Sequence, residues 1–116
     1  MLKVYSYLNC TTCRKALKFL ESRKIPHTVV PIRETPPRLD ELQRALKVTG
    51  SVKKVFNTSG LDYKSQNLKT KLCSLTDEQA LTLLTGNGNL VRRPFVIGPD
   101  TVLLGYREEE WKRILG

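Results

Sequence analysis

The hydrophobic pattern changes its period along the chain, and each change marks a predicted element. Residues 2–8 are rich in β-branched and aromatic side chains, which is typical of a strand. After a polar break, apolar residues recur at the spacing of one helix face, at Cys13, Ala16, Leu17 and Leu20. The Pro at position 26 forbids continuation, so this helix should end near residue 22, and residues 27–32 predict a second strand.

The middle of the chain, residues 35–88, has helical periodicity. Apolar positions from residue 39 to residue 46 predict an amphipathic helix that ends near Gly50. Weaker patterns over residues 51–56 and 64–75 predict short helices and loops. Thr76, with Gln79 three residues later, forms a capping box for a helix that Gly86 can end. The inward positions of that helix are Ala80, Leu81 and Leu84.

The last third returns to strands. Residues 95–97 and 102–104 flank a turn-forming stretch and predict a β-hairpin with a four-residue loop. The closing helix carries acidic residues 108–110 in its first turn, where the helix dipole favours negative charge. We expect its buried stripe to consist of Trp111, Ile114 and Leu115.

Two cysteines, Cys10 and Cys13, lie at the predicted junction between the first strand and the first helix. A thiol just ahead of a helix meets unsatisfied backbone N–H groups and the positive end of the dipole, which favour the thiolate. Arg14 in the first turn adds positive charge. Because Cys13 belongs to the apolar stripe, it should be the more buried. We therefore predict Cys10 as a nucleophile and Cys13 as the thiol that resolves a mixed disulfide.

Other interpretations of the cysteines remain open. The pair at positions 10 and 13 can also be an inert structural filler. A zinc site needs four ligands at paired spacing, and only Cys73 and His27 remain to complete it, so no metal site is predicted. We expect Cys73 to be a buried small hydrophobe rather than a further resolving thiol. We expect His27 to be hydrogen-bonded or exposed rather than a general base.

The order of elements, with this cysteine pair at the first junction and a Pro opening the third strand, predicts a thioredoxin-like α/β fold. It consists of βαβ followed by ββα, with a mixed four-stranded sheet. Residues 1–34 and 89–116 would form its core, and residues 35–88 an inserted helical subdomain. A chain of 116 residues with 40% hydrophobic positions is the size of one such domain.

Composition and charge limit the class of partner. The longest unbroken apolar run has three residues, and the start of the chain lacks a signal peptide pattern, so we expect a cytoplasmic protein without a membrane segment. The net charge is +9, and residues 1–75 carry 15 basic and 5 acidic side chains. Such a field attracts a small oxyanion, an acidic protein face or a nucleic acid, although it can also serve solubility alone. No basic helix interleaved with aromatic residues is visible, so direct nucleic-acid binding is not predicted.

The Arg92-Arg93-Pro94 stretch precedes the third strand. If the Arg93–Pro94 peptide bond is cis, the turn would hold backbone next to the cysteine loop, and the guanidinium fork could bind an oxyanion at two points. The alternative is a pair of solvated arginines.

Four blocks together resemble the ArsC/Spx family of thioredoxin-fold proteins. They are NCTTCRKA at 9–16, FNTSG at 56–60, LVRRP at 90–94 and GYREEE at 105–110. The resemblance spans essentially the whole chain. The family comprises glutaredoxin-linked arsenate reductases, Spx-type regulators that bind RNA polymerase, and many members of unassigned function.

For the arsenate reductases, the resemblance implies that Cys10 attacks an oxyanion from a Cys-Gly-x-Ser-Arg loop, in which Cys10 and Arg14 match and Cys13 replaces the serine. It implies anion binding by Arg14, Arg93 and Pro94. No bound cofactor is implied. Glutathione, glutaredoxin or thioredoxin would be the external reductant, and a small oxyanion or a disulfide the substrate.

That branch surrounds its anion with three arginines. Arg93 occupies one of these places, whereas Asn57 and Tyr106 occupy the others, with Arg107 one residue away.

For the Spx branch, the resemblance lies in the CxxC switch at 10–13, the Arg-Arg-Pro at 92–94 and the Gly-Tyr at 105–106. It implies a redox-switched regulator that binds the C-terminal domain of the RNA polymerase α subunit, an acidic protein face that a basic surface would suit. The turn at 57–60 resembles the enzyme-like members more. The sequence thus predicts an ArsC-type thiol–disulfide oxidoreductase, with the Spx-like regulator as the alternative.

Overall fold

The computed structural model describes residues 1–115, which form four strands and six α-helices. The strands are β1 (Leu2–Ser6), β2 (His27–Pro31), β3 (Phe95–Ile97) and β4 (Val102–Leu104). The helices are α1 (Thr11–Ser22), α2 (Leu39–Thr49), α3 (Leu61–Ser65), α4 (Leu68–Lys71), α5 (Asp77–Gly86) and α6 (Glu108–Leu115). Short 3-10 turns occupy Val52–Lys54, Leu72–Ser74 and Gly88–Leu90.

The strands form one mixed sheet in the order β2-β1-β3-β4. β1 runs parallel to β2, and β3 runs antiparallel to both β1 and β4. A parallel pair needs a crossover connection, which α1 provides. The carboxyl ends of β1 and β2 therefore lie side by side, with Ser6 opposite Pro31. The predicted thioredoxin-like α/β architecture with a mixed four-stranded sheet is confirmed.

Alternating side chains of the sheet enter two separate cores, as the period of two along a strand requires. The first, which we call the α1/α6 core, joins the sheet to α1 and α6. Its buried residues are Leu2, Val4, Ala16, Phe19, Leu20, Val96, Leu103 and Trp111. The second, which we call the insert core, joins the other face to the segment between β2 and β3. It contains Tyr5, Leu42, Ala45, Tyr63, Ala80, Leu84, Phe95, Ile97 and Leu104, among others.

A buried carboxylate fixes α2 to the sheet. Glu41 Oε1 accepts hydrogen bonds from the Tyr5 hydroxyl at 2.6 Å and from the Arg38 backbone N–H at 3.0 Å. Glu41 Oε2 lies 2.8 Å from Lys3 Nζ. Burial opposes ionisation of Glu41, but the hydrogen bonds from Lys3, Tyr5 and Arg38 outweigh it and hold the pKa of this carboxyl below its usual range.

The helix boundaries follow the local signals. α2 ends at Gly50, whose φ of 76° is the left-handed conformation that glycine adopts readily. The predicted capping box of α5 is present, because Gln79 N–H donates to Thr76 Oγ1 at 3.1 Å and Thr76 N–H donates to Gln79 Oε1 at 2.9 Å.

Two expectations about the element ends were wrong. β1 stops at Ser6 rather than at residue 8, because the chain turns there and Cys10 N–H donates to the Tyr7 carbonyl at 3.0 Å. Ile114 is 48% exposed rather than buried. Trp111 and Leu115, four residues apart, take the packed side of α6, which leaves Ile114 on its flank.

Within residues 1–115, we find no helix with the length and apolar character needed to cross a bilayer.

Candidate active site

Cys10 lies at the N-terminus of α1, as the sequence predicts. It is the N-cap residue, with extended backbone angles of φ −95° and ψ 116°. Its Sγ accepts the backbone N–H of Cys13, with 3.3 Å between N and Sγ. The Cys10 side chain is partly exposed to solvent, so a substrate can reach it. The local geometry therefore suits a nucleophile.

Cys13 lies one turn further along α1 and is fully buried in its apolar stripe. Burial raises the pKa of the Cys13 thiol to about 11. Hydrogen bonds from the Tyr7 backbone and the Ser6 side chain oppose this shift only in part. Both cysteines are free thiols in the structure. Cys10 is thus the accessible thiol of the pair, and Cys13 is the buried, protonated one.

Three other predicted site residues occupy distinct positions. Arg14 is exposed in the first turn of α1, where its Nη2 donates to Thr11 Oγ1 at 3.5 Å. The Arg93–Pro94 peptide bond is cis, which is one of the two isomers that the sequence allows. Pro94 is buried, and its carbonyl accepts the N–H of Gly105 at 2.9 Å.

Arg92 and Arg93 diverge. Arg92 lies against Gly105, whose φ of 71° is the left-handed conformation that glycine adopts readily. Arg93 instead lies over Tyr7, with its Cζ 5.0 Å from the centroid of the Tyr7 ring. The Arg93 Nη1 is buried and has no hydrogen-bond partner among residues 1–115. Of the two arginines, Arg93 is therefore the one that offers a free donor near the cysteine loop.

Tyr7 is the centre of a polar cluster that sequence reasoning missed. Its hydroxyl oxygen accepts hydrogen bonds from Arg33 Nη1 at 3.0 Å and from Asn9 Nδ2 at 3.2 Å. The Arg33 Cζ lies 5.0 Å from the ring centroid, so two guanidinium groups flank one ring. The hydrogen bond from Asn9, together with Arg33 and the charge of Arg93, lowers the pKa of Tyr7.

A signal for this cluster was present in the sequence. Tyr7 follows β1 directly, and Arg33 lies two residues after β2. The carboxyl ends of adjacent parallel strands share one edge of a sheet, which is where ligand-binding residues of α/β folds collect. The predicted βαβ unit therefore implied that residues just after the two strands would meet.

Asp62 brings a carboxylate from the insert toward the same arginines. It accepts hydrogen bonds from the side-chain amides of Asn87 at 2.9 Å and Asn89 at 3.3 Å. These two hydrogen bonds and the positive charges of Arg33 and Arg93 lower its pKa. The segment between β2 and β3 thus contributes the anionic side of a cluster whose two arginines follow β2 and precede β3.

Asn57 and Tyr106, which stand where the resemblance places two further arginines, have structural contacts. The Asn57 amide donates to the Asn89 carbonyl at 3.4 Å. Tyr106 packs edge to face on Phe19 and Trp111, with centroids 6.0 and 5.0 Å away. Neither residue brings positive charge to the cysteine loop.

The expectation for Cys73 was wrong, and that for His27 agrees with the structure. Cys73 is exposed, because the short turn after α4 faces solvent. Nδ1 of His27 lies 2.8 Å from the Ile25 carbonyl, so this ring is hydrogen-bonded. Across residues 1–115, no three His, Cys, Asp or Glu side chains are grouped as metal ligands.

Comparison with known proteins gives the chain its family. The ArsC family model matches residues 5–114. The uncharacterized protein YusI of Bacillus subtilis is 38% identical over 112 residues, which cover 96% of this chain and 95% of YusI. The global transcriptional regulator Spx of Listeria innocua is 34% identical over 116 residues, which cover 99% of this chain and 87% of Spx.

Solved structures give the same result. The chain resembles an ArsC family related protein from Bacteroides fragilis with a TM-score of 0.88 and 39% identity, over 97% of both chains. It resembles a possible arsenate reductase from Streptococcus mutans with a TM-score of 0.87 and 34% identity, over 97% of this chain and 98% of that one. With the family model spanning nearly all of its length, this chain belongs to the ArsC family of thioredoxin-like proteins.

Proposed function

We propose that the protein is an ArsC-type thiol–disulfide oxidoreductase in which Cys10 is the nucleophile and Cys13 the resolving thiol. The observation that carries the proposal is the geometry of the cysteine loop. The Sγ of Cys10 caps α1 and accepts the Cys13 N–H, while the Cys13 thiol is buried one turn behind it.

The reaction balances as two thiol–disulfide exchanges. The Cys10 thiolate attacks one sulfur of a substrate disulfide, forms a mixed disulfide and releases the other sulfur as a thiolate. Cys13 then loses its proton and attacks the Cys10 sulfur, which forms the Cys10–Cys13 disulfide and releases the second substrate thiolate. Two electrons pass from the protein to the substrate. An external thiol reductant, which is glutathione, glutaredoxin or thioredoxin, returns them in the cytoplasm.

The anion-binding part of the proposal assigns Arg14, Arg93 and Pro94 to the substrate side of Cys10. The buried, unpartnered Nη1 of Arg93 supports this role, since a buried guanidinium donor gains free energy when an anion completes its hydrogen bonds. Arg14 is exposed one turn into α1, where it can add positive charge at the mouth of the site. Pro94 fixes the backbone between Arg93 and β3.

The decisive experiment is a reductase assay with arsenate, glutathione, glutaredoxin and NADPH, and with small disulfides as further substrates. We expect turnover that is lost in Cys10→Ser and strongly reduced in Cys13→Ser. Cys73→Ser is the matched control, because it removes an exposed cysteine from the insert and should retain full turnover. Full activity of Cys10→Ser on every substrate that the wild type accepts would refute the mechanism.

A second candidate function is an Spx-like redox-switched regulator that binds the C-terminal domain of the RNA polymerase α subunit. The observation that favours it is a groove beside α6 that is both basic and partly apolar. Its lining includes Lys54, Arg92, Arg107 and Arg113 together with the exposed Val48 and Ile114. Such a surface complements an acidic protein face with an apolar centre.

The regulator candidate is tested by retention of RNA polymerase on the immobilised protein, in reduced and in oxidised form. The candidate predicts retention that changes with the redox state and is lost in Arg113→Glu. Lys24→Glu is the control, because it makes the same charge change in the turn after α1. Absence of retention in both redox states would exclude this function, while Cys10-dependent turnover would favour the enzyme.

A further inference from the structure

Two hydrogen-bond donors at Tyr7 are available to a ligand, the Tyr7 O–H and a guanidinium N–H of the neighbouring Arg93. The Tyr7 oxygen already accepts from Arg33 and Asn9, so its own O–H is left to donate outward. Among residues 1–115, the buried Nη1–H of Arg93 has no acceptor. A buried donor without an acceptor is costly, and an anionic ligand would satisfy the Arg93 Nη1–H while the exposed Tyr7 O–H donates to it as well.

The cluster also lies next to the cysteine loop. The residue that donates to the Tyr7 hydroxyl, Asn9, immediately precedes Cys10. The Tyr7 carbonyl accepts the Cys10 N–H at 3.0 Å. A group bound at Tyr7 would therefore belong to the same molecule that Cys10 attacks.

We propose that Arg33, Tyr7 and Arg93 form a binding site for a substrate carboxylate, which makes the protein selective for disulfides that carry carboxylates. The site rests on the proposed oxidoreductase function and names its substrate class. Arg33 and Tyr7 act as specificity-determining residues. The chemical step remains the attack of Cys10 on a disulfide sulfur, with the carboxylate held but unchanged.

The charge of the cluster favours a carboxylate over an inorganic dianion. Arg33 and Arg93 bring two positive charges beside Tyr7, and the Asp62 carboxylate, whose pKa their charges lower, reduces the net positive charge of the cluster. A planar monoanion matches both the remaining charge and the guanidinium fork, which binds carboxylates through two parallel hydrogen bonds. A dianionic oxyanion would meet less positive charge than its stabilisation requires.

The test compares three disulfide probes that differ in charge: glutathione disulfide, uncharged 2-hydroxyethyl disulfide and cationic cystamine. The measurement is the second-order rate constant for oxidation of the reduced protein, followed by loss of free thiols. We expect glutathione disulfide to react fastest in the wild type. We expect Arg33→Gln to slow glutathione disulfide by about tenfold, the worth of one charge-assisted hydrogen bond. The rate with 2-hydroxyethyl disulfide should stay unchanged.

Two further variants make the test specific. Tyr7→Phe keeps the ring and removes the hydroxyl, so it should also slow glutathione disulfide selectively. Arg23→Gln is the matched control, because Arg23 likewise lies over an aromatic ring, with its Cζ 4.5 Å from the Phe19 centroid at the other end of α1. This control should leave all three rates unchanged.

A binding measurement separates this inference from the proposed function. S-methylglutathione carries the carboxylates but has no thiol, and its titration into the wild type and Arg33→Gln can be followed by chemical shifts of the tyrosine rings. Arg33-dependent binding with no oxidation by any disulfide would keep the site and refute the oxidoreductase. Oxidation with no preference for glutathione disulfide, equal slowing of all probes by Arg33→Gln, or binding of arsenate in place of S-methylglutathione would each overturn the carboxylate site.

Discussion

The two faces of the sheet pack against side chains of different chemical character. The α1/α6 core is aliphatic and aromatic, and in it Phe19, Tyr106 and Trp111 contact one another edge to face. The insert face adds polar groups, namely the buried Glu41 carboxylate of α2 and the partly exposed Asp62 carboxylate of α3 with its two amide partners. The helix that bears the cysteines therefore rests on an apolar support, while the charged groups near Tyr7 come from strand ends and from the segment between β2 and β3.

The burial of Cys13 on α1 gives the strongest prediction. Because the pKa of this thiol is raised to about 11, almost none of it is thiolate at neutral pH, and only the thiolate reacts with alkylating agents. In the reduced native protein, iodoacetamide at pH 7 should label Cys10 and Cys73 and spare Cys13. Labelling of Cys13 should rise about tenfold per pH unit below its pKa. Peptide mass spectrometry reads the three sites separately.

The unfolded protein is the control for this prediction, since all three cysteines should then be labelled. Equal labelling of Cys10 and Cys13 in the native state at pH 7 would contradict a dry environment for the buried thiol.

Trp111→Ala should destabilise the α1/α6 core, because it removes a large, fully buried side chain. Trp111 is fully buried against Phe19 and Tyr106, and removal of such a side chain costs about 3–5 kcal/mol of unfolding free energy. Urea denaturation measures the loss. Ile114→Ala lies on the same helix but alters an exposed side chain, and it should cost far less. Similar losses for the two variants would mean that α6 does not support the sheet through Trp111.

Glu41→Gln tests how much the buried carboxylate stabilises the insert face of the sheet. The amide can still accept from Tyr5 and Arg38, but Lys3 loses its ion pair, and we expect a loss of about 1–2 kcal/mol at pH 7. The pKa of Glu41 is lowered in the folded state, so its stabilisation is present above the unfolded pKa and lost as pH falls through the folded value.

The measurement is urea denaturation of wild type and Glu41→Gln from pH 7 down to pH 3. The gap between the two proteins should narrow as the pH falls. A gap that stays constant over this range would show that the ionised carboxylate is not what stabilises the insert face.

The sequence predicted what depends on local order. The cysteine loop at the start of α1, the capping box at Thr76 and the β-hairpin each follow from residues within a few positions of one another. Cys73 and Ile114 were misplaced because a short turn and an eight-residue helix have too few contacts for periodicity to determine which side is buried.

The complete Tyr7 cluster could not be predicted from local order, because it joins residues that are distant along the chain. Its two arginines are sixty residues apart, and they meet only because β1 lies between β2 and β3 in the sheet. Local pattern cannot reveal which side of the turn each arginine of Arg92-Arg93 takes. Asp62 was equally hidden, because it reaches the site from the insert through the amides of residues 87 and 89.

Asp62→Asn gives the smallest expected effect and tests the meeting of the two regions. The asparagine can still accept the Asn87 and Asn89 hydrogen bonds through its side-chain oxygen, but it no longer offsets the charges of Arg33 and Arg93. Anion binding should strengthen by about two- to fivefold at low salt, as partly exposed charges interact weakly. The gain should shrink as added salt screens it. S-methylglutathione and arsenate titrations at two ionic strengths measure this. Unchanged affinity for both anions would show that the Asp62 charge does not weaken anion binding at Arg33 and Arg93. The insert would then play no part in substrate recognition.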